Sequence, residues 1–235
     1  MRWDNGRWID IQRFHETHFV ATGRDEGDLR VVHVHRDPLE IIASAFLYHL
    51  GSSEQWLSDR QYTWKSLMAM LEDPLWKEIP AFPRAGPWQR VLLGGTAASA
   101  VFWEAARAWP GVLTMMRTFR WCHDTPRQCV NVYPCHVGVT HQQLREATGE
   151  MVGMALGPAA AVDGELLDQH FAELEIPVDH QTDDEAKAQL AIILRSNPIF
   201  LTIYCRAALQ TGYWHIWMAT TTTITLSAGL PCDQF

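Results

Sequence analysis

"LRVVHVHRDPLEIIASAFLYHL", residues 29–50, confines the fold more than any other stretch of the chain. Residues 29–35 have the valine content and length of a short buried strand. Proline cannot sit inside such a strand, and its fixed φ suits the first turn of a helix. Asp37 is the matching N-cap, its carboxylate placed to accept a first-turn amide. From Pro38 on, Leu39, Ile42, Ala43, Phe46, Leu47 and Leu50 recur at helical spacing, while Glu40, Ser44 and Tyr48 share another face. A strand must therefore turn into a helix at Arg36-Asp37-Pro38.

Further along, residues 54–90 read as a short helix followed by a loop rich in Pro and Trp. Residues 96–121 form a long helical stretch that Pro110 breaks or kinks. "QCVNVYP" (128–134) is a second strand. Thr140 with Gln143 opens a helix that Gly157 stops, "AAAVDG" is a linker, and another helix covers about 164–174. A capping box from Thr182 to Glu185 starts a helix that ends at Asn197-Pro198. Alternating strands and helices point to an α/β fold with a parallel sheet, a single domain over 1–219 and a tail at 220–235.

Composition narrows the partners. The net charge is −8, with Asp+Glu 27 against Lys+Arg 19, which excludes a general nucleic-acid binder and leaves room for a local anion pocket. Lysines are confined to Lys65, Lys77 and Lys187, so arginine, whose planar fork suits phosphate and sulfate, supplies most positive charge. No apolar run of about 18 residues occurs, so no membrane span is expected. The odd set Cys122, Cys129, Cys135, Cys205 and Cys232 favours a reducing compartment, and a cytoplasmic location is expected. The spacing of Cys122, His123, Cys129, Cys135 and His136 fits no common zinc pattern, so no metal is expected. Eleven tryptophans suit packing better than a dedicated aromatic pocket, and Glu104 reads as exposed.

Chemistry concentrates at the corner. A helix N-terminus after Pro38 offers backbone amides and the positive end of a dipole to an anion. Arg36 adds a charged fork, and Ser44 lies about 10 Å further along an ideal helix, within reach of a leaning arginine. Solvation of Arg36 beside an ordinary strand–turn–helix is the competing reading.

"RDPLEIIASAFLYH" resembles the 3′-phosphate-binding motif of sulfotransferases that use 3′-phosphoadenosine 5′-phosphosulfate (PAPS). In that family a strand leads to Arg-Asp-Pro, an apolar stretch and a Ser eight residues after the Arg. The resemblance extends over most of residues 10–215, with "WEAARAWPGVLTMMRTF", "CVNVYP" and a helix ending in "ALG" following in family order. It implies a P-loop-like sulfotransferase fold, PAPS as co-substrate, and nucleotide anchoring by Arg36 and Ser44. "HETHFV" is similar to the stretch that carries the family's catalytic base. That match implies His18 as the group taking the acceptor proton, with His15 as a competitor. The acceptor would be a small molecule or glycan bearing a hydroxyl or amine.

Two departures stand against this match. No Ser/Gly/Thr loop with a lysine precedes residue 31, and "YPCHVGV" replaces the family's acidic run after the second strand. "LLGGTAAS" lacks lysine and reads as packing at the start of a helix. Arg2, Arg7 and Arg13 are substitutes for the loop lysine by position alone. The alternative expectation is a non-catalytic, N-terminally incomplete homologue that binds nucleotide or a protein partner without turnover.

Overall fold

The computed structural model describes residues 31–126, 129–132 and 183–213, and all that follows concerns these residues. Backbone contacts divide them into two compact units, one holding residues up to Arg36 together with Thr114 to Val132, the other holding Asp37–Leu113 and residues 183–213.

In the first unit, β1 (Val31–Val34) pairs in parallel with a strand at Cys129–Val132, in the register Val31↔Cys129 to Val34↔Val132. Among the described residues the parallel sheet consists of these two strands, and most of the remaining described chain is helical. Strand alternation puts His33 and His35 on one face, and both are buried. Their rings stack at 5.8 Å, and His35 also meets the edge of Phe119 at 5.0 Å.

Burial, with the neighbouring His33, lowers the His35 pKa from 6.5 to about 4. The unfolded chain therefore binds a proton between pH 6.5 and 4 that the folded chain refuses. Stability falls as pH drops through that window. Unfolding free energies from denaturant titration at pH 7 and pH 4.5 should differ more in the wild type than in His35→Phe, by up to about 3 kcal/mol. Equal pH dependence in the two proteins would contradict a buried neutral His35.

The second unit is helical. Its elements in chain order are α1 (Pro38–Gly51), α2 (Gln55–Asp59), β2 (Gln61–Tyr62), α3 (Trp64–Met68), a 3₁₀ turn (Pro74–Glu78), β3 (Gly86–Pro87) and α4 (Trp88–Leu93). The long helix α5 (Ala97–Asp124) follows and contributes to both units. After it come β4, the Cys129–Val132 strand already described, α6 (Asp184–Ser196) and α7 (Pro198–Thr211). The short strands β2 and β3 form an antiparallel ribbon.

The region 54–90 thus holds more regular structure than one helix and a loop. Thr63 and Ser66 close a reciprocal capping box on α3, and Asp73 caps the 3₁₀ turn through the Leu75 amide. Pro110 does not break α5, which runs unbroken through it.

Two glycines are fixed by geometry. Between α4 and α5, a Cβ on Gly95 would stand 2.5 Å from Cζ3 of Trp103, closer than packing allows. Gly212 ends α7 in the left-handed region at φ 68°. Asn197 caps two helices at once, closing α6 and accepting the Phe200 amide at 2.9 Å to open α7. The axes bend by 89° there. The α6 cap is Asp183 rather than Thr182, because the Asp183 carboxylate accepts from the amides of Glu185 and Ala186. Among the described residues no single helix is long and apolar enough to cross a membrane.

The core of this unit is aromatic. Trp76 packs on Trp109 at 5.5 Å, and Phe200 of α7 meets both rings. Trp88 is fully buried beside Tyr62. These tryptophans serve packing, as the sequence reading favoured.

Glu104 corrects that reading: it is fully buried instead of exposed. Trp88 Nε1 donates to its Oε2 at 2.6 Å, and Arg107 Nε donates to its Oε1 at 2.9 Å. His49 Nδ1 lies 3.1 Å from Oε2. Arg107 also rests over the rings of Trp56 and Trp88. Burial alone would raise the Glu104 pKa. The Arg107 charge and the His49 hydrogen bond outweigh it, so the carboxyl titrates below its ordinary value.

Candidate functional site

The Arg36-Asp37-Pro38 corner forms as its residue types demand. β1 ends at Val34, α1 begins at Pro38, and Asp37 is the N-cap. The Asp37 carboxylate accepts from the Leu39 amide at 2.8 Å, and the Asp37 carbonyl accepts from Ile41 at 3.0 Å. The first-turn amides are therefore engaged by the chain's own carboxylate. This corrects the expectation that they stand open to an anion, and leaves side chains as the available donors.

Asp37 is buried. Burial raises its pKa, and the Leu39 amide and the Arg195 charge offset only part of that. Arg195, near the end of α6, holds its guanidinium 3.9 Å from Asp37 Oδ2, and its Nε is buried without a partner. The packing of α6 against α1 thus brings an arginine to Asp37. Sequence reasoning missed Arg195. In the last turn of a helix a basic residue is common on dipole grounds alone, so its position carries no signal of its own.

Arg36 is half-buried at the carboxyl side of β1, the last residue of the first unit, and it has an interaction partner. Ser44 lies in the middle of α1. Its Oγ is shielded from solvent and has no hydrogen-bond partner. The helix buries Leu39, Ile42, Ala43, Phe46 and His49, so its apolar face is rotated toward His49, while Leu47 and Leu50 are half-buried. Tyr48 donates to Glu54 Oε1 at 2.8 Å. His18 lies outside the described residues, as do His15, Arg2, Arg7 and Arg13.

Cys122 and Cys129 are joined in a disulfide with Cα atoms 4.7 Å apart, tying the end of α5 to the start of β4. Cys205 is disulfide-bonded as well. The odd cysteine count therefore does not mean five free thiols, and Cys122 and Cys129 are unavailable as thiolate ligands. Cys135 and His136 lie outside the described residues.

A search among known proteins finds no matching family model, no matching curated protein and no matching solved structure.

Proposed function

We infer that the chain is a PAPS-dependent sulfotransferase-like protein of P-loop-like α/β fold, moving a sulfuryl group to a hydroxyl or amine acceptor. In this reading Arg36 and Ser44 anchor the 3′-phosphate of the nucleotide, and His18 takes the acceptor proton. The observation that carries it is the Ser44 hydroxyl. A desolvated hydroxyl without a partner costs about 1–3 kcal/mol, and a phosphate oxygen would satisfy it once the Ser44 side chain turns out of the shielded position it holds in this structure. The strand, Arg-Asp-Pro corner and helix, with β1 parallel to β4, are in keeping with this reading. Arg195 adds positive charge near Asp37 at the same helix start.

Ser44→Ala separates a binding role from packing. Removing an unpartnered hydroxyl should leave the thermal midpoint unchanged or slightly raised. Calorimetry with 3′-phosphoadenosine 5′-phosphate should show affinity weakened about tenfold or more, the loss of one hydrogen bond to a charged group. Lost stability with unchanged affinity would mark Ser44 as a packing residue.

A second reading, nucleotide binding without turnover, is favoured by the absence of any lysine before Lys65. Sulfuryl transfer needs positive charge near the oxygen that leaves with the phosphate. Labelled sulfate from PAPS appearing on any of a panel of hydroxyl and amine acceptors decides for the enzyme. Binding without transfer decides for the second reading.

A further inference from the structure

Among the described residues every arginine meets a carboxylate, an aromatic ring or another partner except two, Arg84 and Arg90. Both lie on the wall of one cavity of about 760 Å³ within the second unit. Arg84 comes from the loop before β3, and Arg90 from α4, which the buried Trp88, Val91 and Leu92 hold in place. No Asp or Glu lines this cavity, although acidic residues outnumber basic ones in the chain. Gln61 adds a neutral amide, and Leu57 and Val91 add apolar surface.

Two arginines on the wall of one cavity with no acidic residue beside them give that wall a positive charge, which a bound anion would offset. A planar fork pairs with tetrahedral oxyanions through two parallel hydrogen bonds. Two such forks carry the charge that a phosphate monoester dianion neutralises. The volume lies in the range of pockets for whole small molecules, about 300–1,000 Å³, and exceeds what an inorganic ion needs. We propose that this cavity is a binding site for a small phosphate monoester with an apolar body, distinct from the Arg36 corner and independent of the nucleotide reading. Arg84 and Arg90 grip the phosphate, and Leu57 and Val91 contact the body.

The test is calorimetry of the full chain with phenyl phosphate at low and high salt. Wild type should bind, more weakly as salt rises because the arginines are exposed. R84Q and R90Q should each weaken binding roughly tenfold, and the double variant should abolish it. Both side chains are exposed and unpaired, so thermal midpoints should stay unchanged. R84K/R90K, which keeps the charge and loses the fork, should fall between. Absence of binding by wild type, or binding by R84Q/R90Q equal to that of wild type, would each overturn the assignment.

Discussion

Glu104→Ala should destabilise the protein by about 3–5 kcal/mol, the cost of removing one partner from a buried ion pair. The variant leaves the largely buried Arg107 guanidinium without its carboxylate, and Trp88 Nε1 without an acceptor inside the core. It also removes the group that His49 meets from α1. Glu104→Gln keeps an acceptor for Trp88 but not the charge, so it should cost less. The pH dependence identifies the cause. The Glu104 pKa is lower in the folded chain than its ordinary value, so its contribution is fully present above about pH 4.5 and is lost as pH falls through the lowered value. Urea unfolding at pH 7 and at pH 3 should show the gap between wild type and Glu104→Ala narrowing in acid. A gap below 1 kcal/mol at pH 7 would contradict the network's structural role.

Arg36→Ala should weaken binding of 3′-phosphoadenosine 5′-phosphate by about a hundredfold. A charge-assisted, two-pronged contact to a phosphate contributes roughly 2–5 kcal/mol when one partner is truncated. With the first-turn amides of α1 engaged by Asp37, backbone donors offer little compensation. Arg36→Lys keeps the charge and loses the fork, and should retain part of the affinity. Isothermal titration of the three proteins checks the order wild type, Lys, Ala. If Ala and wild type bind alike, the guanidinium does not hold the phosphate.

Local chemistry was the legible part of this chain. Asp37 and Pro38 announce the start of α1 because an N-cap carboxylate and a fixed φ act within two residues of where they stand. The same logic applies at Asn197-Pro198, yet only the end of α6 was read there. Asn197 capping Pro198–Thr211, with Gly212 in the left-handed region, is an equally local signal that had been spent on the preceding helix. The strand at 128–134 was placed to within two residues, because it is short and β-branched.

What depends on distant partners was not legible. Glu104 looked like a surface carboxylate because its partners stand 16 residues away at Trp88 and, farther still, on a different helix at His49. Arg195 reaches Asp37 only through the packing of α6 on α1. Arg84 and Arg90 acquire meaning only when the β2–β3 ribbon and α4 enclose a common space. The disulfide between Cys122 and Cys129 follows from where α5 stops and β4 starts, which periodicity fixes only loosely.

The proposed recognition of a 3′-phosphate by Arg36 and Ser44 is tested most directly by a comparison of two ligands on the wild-type chain. Titration with 3′-phosphoadenosine 5′-phosphate and with adenosine 5′-phosphate, which lacks only the 3′-phosphate, should give affinities about a hundredfold apart, and Arg36→Ala should erase that difference. Equal affinities in the wild type, or a difference that survives in Arg36→Ala, would contradict it.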